Sequence, residues 1–226
     1  TTAPGGGDSQ SAAESTPTTS AEAGGGDEPK QGGTLRVAMD VVPPSVDAQR
    51  STAYHTRVIM GSVTEGLFTL NNEYDIIPEL AEGFELSADK LTCHIPIREG
   101  IVFHDGSDVT VEDIMASLER WLTISTPGKA YSSFIEGLSA SGDRAIEFRF
   151  KEPIAHLLIA ALAFSYQAAS IHPKRQIDEV GTDGTMDQPI GTGPFKLVSV
   201  DLDREVVLER FDGYVARDEP SNGYGG

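Results

Sequence analysis

Apolar and polar residues alternate along several stretches of the chain, with the two-residue period of a strand that buries one face. Thr34–Met39 sets Leu35, Val37 and Met39 against polar or small neighbours, and Pro43 and Pro44 close the segment. Leu91, Cys93, Ile95 and Ile97 alternate with Thr92, His94 and Pro96. Pro96 has no N–H to give to a ladder, which predicts an edge position for this strand. Cys93 then faces the core, where a free thiol behaves as a small hydrophobe. In Ala145–Phe150 the residues Ile146, Phe148 and Phe150 fall on one side. Phe195–Val200 and Glu205–Arg210 predict a hairpin around Asp201-Leu202-Asp203, and Gly66–Leu70 is a short apolar run stopped by the turn signal Asn71-Asn72.

Helical spacing appears between these runs. Tyr54, Val58 and Ile59 predict a helix over residues 54–65. Thr110 reads as an N-cap followed by Glu112 and Asp113 in the electropositive first turn. Ile114, Leu118, Trp121 and Leu122 then share one face. Pro153 suits the first position of a helix reaching about Ala163. Strands and helices interleave without the strict alternation of a doubly wound sheet, so the expected class is mixed α/β, or α+β.

Residues 1–33 change the picture at one end. They contain no Val, Ile, Leu, Met, Phe, Trp, Tyr or Cys, and 25 of the 33 are Gly, Ser, Thr, Ala or Pro. Such a segment has nothing to bury against the entropy of ordering its backbone and reads as disordered linker. The remaining 34–226 is long enough to bury a core without metal or disulfide. The net charge is −18, of which the linker carries −4. A surface this acidic repels phosphate, which argues against nucleic acid as a partner. No run approaches bilayer-spanning length. The single cysteine, Cys93, excludes an internal disulfide and a cysteine-based zinc site.

Candidate chemistry is sparse. His104 beside Asp105 invites a general-base reading and hence a hydrolase. Neighbours on extended chain point to opposite sides, however, and no motif places a Ser or Cys nucleophile, so Asp105-Gly106 reads better as a turn anchored by Phe103. The histidines at 55, 94, 104, 156 and 172 lack metal-site spacing, and no metal or cofactor is expected. Gly191-Thr192-Gly193-Pro194 resembles a phosphate loop but leads into a strand, so no helix N-terminus faces an anion; it reads as a tight turn. Trp121 has core spacing and is also a candidate ligand contact.

Several segments together resemble the peptide/nickel-type bacterial extracellular solute-binding proteins, family 5. They are Gly32-Gly33-Thr34-Leu35-Arg36-Val37-Ala38, Ser45-Val46-Asp47, Glu65-Gly66-Leu67-Phe68 and Ile77–Phe84. Ile97–Gly106 continues the match, running on through Thr110–Ile114 to Ser117–Trp121, as do Pro189–Phe195 and Phe211-Asp212-Gly213-Tyr214. The resemblance implies a type II periplasmic-binding-protein-like clamp of two lobes. Residues 34–50 and 189–226 would form the core of lobe one, and 51–188 the family's extra subdomain. The crossover to the second lobe would lie beyond Gly226, so the chain is expected to be a fragment supplying one lobe.

By the same resemblance, the cleft would be bordered by Val41, Val42, Pro43 and Pro44, whose prolines remove two donors from any strand-like pairing with a peptide. Gly191, Thr192, Gly193 and Pro194 would form a turn at the base of the hinge. The implied role is capture of a peptide or other small solute for an ABC importer. Permease subunits would be the partners, the location would be extracytoplasmic with a lipid tether, and the full-length protein would be a monomer without catalytic residues. The alternatives are the hydrolase above and the sensing domain of a regulator.

Overall fold

The computed structural model describes residues 32–219 and Gly223. The linker expected over 1–33 lies almost wholly outside them. The backbone divides into two units at Ala38/Met39. Residues 32–38 form neither helix nor strand, and Leu35 and Val37 are 87 % and 70 % exposed. The strand expected over Thr34–Met39 is therefore not formed. Alternation makes a strand only where a partner supplies a ladder, and among the described residues none pairs with this segment.

From Met39 onward the described residues form five helices and eight strands. These are α1 (Tyr54–Met60), β1 (Phe68–Leu70), β2 (Ile76–Pro78), β3 (Glu85–Leu86), β4 (Thr92–Pro96), α2 (Val111–Ile124) and α3 (Thr126–Ser132). They are followed by β5 (Ile135–Ala140), β6 (Ala145–Phe150), α4 (Ala155–Leu162), α5 (Lys174–Val180), β7 (Phe195–Asp201) and β8 (Glu205–Arg210). The mixed α/β class expected from the pattern is what forms.

The largest sheet is antiparallel with order β3-β4-β6-β5. Its register sets Cys93 opposite Phe148 and Ile95 opposite Ile146, so the apolar sides of both alternating runs meet on one face. Helix α2 covers that face with Ile114, Leu118 and Trp121, all without solvent exposure. The helix starts where its chemistry directs. Thr110 Oγ1 accepts from Asp113 N at 3.2 Å, while the Asp113 carboxylate accepts from Thr110 N at 2.9 Å. This reciprocal cap satisfies two of the orphan donors of the first turn.

Three expectations are corrected. Strand β4 is interior, not an edge: β3 pairs with it only at Cys93 and His94, so Pro96 sits beyond that pairing and its missing donor costs nothing there. Helix α4 begins at Ala155 with Ile154 as cap, leaving Pro153 just before it. Helix α1 ends at Met60 rather than residue 65. The carbonyls of Ser62 and Val63 turn outward instead, to accept from Phe195 N and Gly193 N at 3.0 Å each.

Two apolar cores result. The larger joins β4, β6, α2 and α4. The smaller gathers Val46, Ala48, Ile59, Met60 and Val63 against one side of the β7-β8 hairpin. Helix α1 thus buries its Ile59–Met60 side in the smaller core, while Tyr54 and Val58, expected on its apolar face, stay 56 % and 45 % exposed.

Cys93 is fully buried, and burial pushes its thiol up to about 12. The thiolate is the reactive species, so a polar disulfide reagent should label native protein very slowly and denatured protein at the rate of a free thiol. Equal rates in the two states would place Cys93 on the other face of β4.

Candidate functional site

The surface beside α1 carries an open cavity of about 380 Å³. Tyr54, Arg57 and Val58 of α1 form one wall, Phe164 and Ser165 after α4 form another, and Glu79 after β2 lies at its border. A volume of that size suits a small molecule. Tyr54, Arg57 and Val58 stand three and four residues apart on a helix, which brings them onto one face. The Arg57 guanidinium carbon lies 5.1 Å from the Tyr54 ring centre and 5.0 Å from that of Tyr166, within cation–π range of both.

The segment that brings Tyr166 to Arg57 is tightly held. Gln167 adopts a left-handed backbone at φ 45°. Its carbonyl accepts from Trp121 Nε1 at 2.6 Å. Its side chain accepts from Thr126 N and donates to Arg50 O, both at 2.9 Å. A non-glycine residue with positive φ is maintained only when its surroundings over-determine it. Trp121 is fully buried, so its tie to this site runs through the Gln167 carbonyl rather than through its own surface.

The residues after the first segment are split. Val41 and Val42 are 57 % and 54 % exposed, Pro44 is exposed and Pro43 is buried. None of the four lines the cavity.

The turn at 191–194 packs against the end of α1. A Cβ on Gly191 would stand 2.1 Å from the Val63 carbonyl oxygen, and one on Gly193 would stand 2.7 Å from that of Ser62. Glycine is therefore required at both for close approach of backbone. His104 clamps the same turn. Its Nδ1 accepts from Gly191 N at 3.3 Å, and its Nε2 donates to Gly193 O at 2.9 Å. Burial lowers its pKa, which keeps this neutral tautomer. Asp105 serves other partners, accepting from Ser107 N and Oγ at 3.0 and 2.7 Å and pairing with Arg175. The two side chains form no dyad.

Beside the cavity lie two acids, Glu65 buried and Glu79 half-buried. Burial pushes Glu65 up to about 7, against the opposing influence of Thr192, Arg98 and Tyr214. Glu79 is raised well above the usual carboxylate range by burial and by the charge of Glu65, and it accepts from Gly66 N at 2.8 Å. Asp47 and Arg120 form a buried ion pair at 2.7 Å. Among the described residues no group of three His, Cys, Asp or Glu gathers as a metal site, and no helix is long and apolar enough to cross a membrane.

Aromatic rings and one cation thus stand around an open cavity large enough for a small molecule, while His104 and Asp105 are turned to structural partners away from its lining. The chain belongs to the bacterial extracellular solute-binding proteins, family 5, whose middle region matches residues 75–224. It is 28 % identical to a probable peptide ABC transporter periplasmic-binding protein of Sinorhizobium fredii, covering 85 % of this chain and 36 % of that protein. Among solved structures it resembles an ABC transporter substrate-binding protein from Sinorhizobium meliloti, at 29 % identity and a TM-score of 0.68 over 84 % of this chain and 38 % of the other. It also resembles the PBP AgaA of A. tumefaciens R10 in complex with agropinic acid, at 28 % identity and a TM-score of 0.65, covering 76 % of this chain and 34 % of that one. The chain thus spans little more than a third of the length of these proteins.

Sequence reasoning missed Tyr54, Arg57, Phe164 and Tyr166 as a group. The spacing of Tyr54 and Arg57 was a usable signal once Val58 was not assigned to the core. Tyr166 lies more than a hundred residues away and only the fold brings it near.

Proposed function

We propose that this chain forms part of the solute receptor of an ABC importer and holds a peptide or comparable small solute in the cavity beside α1. The carrying observation is that cavity, walled by Tyr54, Arg57 and Phe164, in a member of a solute-binding family. In this reading residues 34–50 and 189–226 belong to the core of one lobe of a clamp, 51–188 to an added subdomain, and the 191–194 turn lies at the base of the hinge. Permease subunits receive the solute outside the cytoplasm, and a lipid tether holds the receptor at the membrane. No catalytic role is assigned to His104 or Asp105, whose polar contacts are spent on the turn and on Ser107 and Arg175.

A clamp draws affinity from surfaces on both sides of its ligand. With one side supplied, a loss on the order of 4 kcal/mol takes a micromolar ligand to about millimolar. Titration of the chain with short-peptide pools, followed by amide chemical shifts, should therefore show weak saturable binding. The shifts should centre on Tyr54–Met60 and residues 164–166. Shifts confined to other surfaces, or none at all, would remove the proposal.

A further inference from the structure

We propose that Arg57 is the selecting residue of this cavity and that what it takes is a carboxylate. The inference rests on reading the cavity as the ligand site and goes further by naming the chemical class of the ligand. The chain has 35 Asp and Glu against 17 Lys and Arg, so acids are available to most of its arginines. Arg120, Arg144, Arg149, Arg175, Arg204, Arg210 and Arg217 each pair with one. Arg50 and Arg98 make no ion pair but give their donors to backbone carbonyls, Arg50 to that of Asp183 and Arg98 to those of Glu79, Val215 and Ala216. Among the described residues Arg57 has neither an acid nor a backbone carbonyl as partner. Its one hydrogen bond there is from NH1 to Ser165 Oγ at 3.3 Å, a neutral and long contact.

What surrounds Arg57 fixes it without neutralising it. The rings of Tyr54 and Tyr166 engage the guanidinium through their π systems, which leaves N–H donors at its edge. Tyr54 stands on the same helix as Arg57, and Tyr166 is carried by the segment that Gln167 locks, so the fork is preorganised. A planar guanidinium with free N–H groups matches a carboxylate with two parallel bonds, and such charge-assisted pairs are stronger than neutral ones. Glu79, the acid bordering the cavity, has a carboxyl raised well above the usual range and is engaged by Gly66 N, so it does not serve as the counter-ion. The carboxylate comes from the ligand, as the C-terminus of a peptide or as a small organic acid.

The test uses trialanine, trialanine amide and glutarate as probes, titrated by NMR against wild type, Arg57→Met and Arg57→Lys. In wild type the amide should bind at least about tenfold more weakly than trialanine or glutarate, whichever binds. Binding of trialanine but not glutarate assigns the carboxylate to a peptide terminus, and the reverse assigns it to an organic acid. Arg57→Met should weaken the carboxylate probes by a similar factor and leave the amide unchanged. Arg57→Lys, which keeps the charge and loses the fork, should fall between. Thermal melting of both variants checks that they fold, and the wild-type comparison of trialanine with its amide needs no variant. Equal binding of trialanine and its amide to wild type, or unchanged affinities in Arg57→Met, overturns the role of Arg57 while leaving the receptor reading intact. No cavity shift with any probe removes both.

Discussion

Replacing Asp47 by Ala is expected to destabilise the fold by about 3–5 kcal/mol, the usual cost of leaving a buried charge without its partner. Asp47 and Arg120 are 0 % and 1 % exposed. The Arg120 fork donates to both carboxylate oxygens at 2.7 and 3.3 Å, and also to Gln49 Oε1 at 2.7 Å and Gly184 O at 2.8 Å. Asp47 in turn accepts from Met186 N at 3.1 Å, and Gln49 donates to the carbonyls of Ser117 and Ser170. Residues 47–49, α2 and the segments at 170 and 184–186 are thereby tied through one network. Truncating Asp47 strands the guanidinium and an amide at once. Against a total stability of about 5–15 kcal/mol, this approaches unfolding. Urea unfolding of wild type, Asp47→Ala, Arg120→Met and the double variant measures it. The double variant should be less damaged than the sum of the two singles, because neither charge is then left alone. Additive losses, or a loss below about 1 kcal/mol for Asp47→Ala, would mean that water reaches the pair.

Stability should also depend on pH, and among the groups that carry this dependence two buried ones, Glu65 and His172, act in opposite directions. Glu65 has its folded pKa raised from 4.5 to about 7, so the native state holds the proton more tightly. Its contribution is fully present below pH 4.5 and is lost as pH rises through 7, by about 3 kcal/mol at 1.36 kcal/mol per pH unit. His172 is the reverse case. Burial lowers it from 6.5 to about 4, so its contribution is present above pH 6.5 and is lost as pH falls toward 4, by a similar amount. Between pH 4.5 and 6.5 the two slopes offset each other. Glu65→Gln removes one of them. Its stability relative to wild type should rise by about 3 kcal/mol between pH 4.5 and 8, read from denaturant midpoints at each pH. A difference that does not vary with pH would mean that Glu65 ionises as an ordinary surface acid does.

Periodicity located the elements that bury one face. The β4 and β6 runs, the cap of α2 at Thr110 and the β7-β8 hairpin formed where alternation and turn residues placed them, because those signals are local. The α3 and β5 segments escaped. Strand β5 reads Ile-Glu-Gly-Leu-Ser-Ala, and its register shift between Ile135 and Gly137 breaks the alternation that would reveal it. The end of α1 was misplaced because the stop is tertiary: residues 62–63 give their carbonyls to the 193–195 segment instead of continuing the helix. The first alternating run, Thr34–Met39, has a strand's pattern and forms no strand, because alternation alone supplies no ladder.

The order and spacing of short motifs, from Ser45-Val46-Asp47 through Ile97–Gly106 to Gly191–Pro194, placed the chain in its family without any coordinate. These positions are constrained by packing: Asp47 meets Arg120, His104 meets Gly191 and Gly193, and each leaves a mark in sequence because few residues can replace it. The cavity left a weaker mark. Tyr54 and Arg57 share a helix face by their spacing, but Arg57 and Tyr166 meet across 109 positions and nothing along the chain links them. Tertiary structure alone decided that a cation without an acid partner among the described residues stands against two rings in the lining of a cavity. That arrangement depends on distances between segments that the chain's linear pattern does not encode.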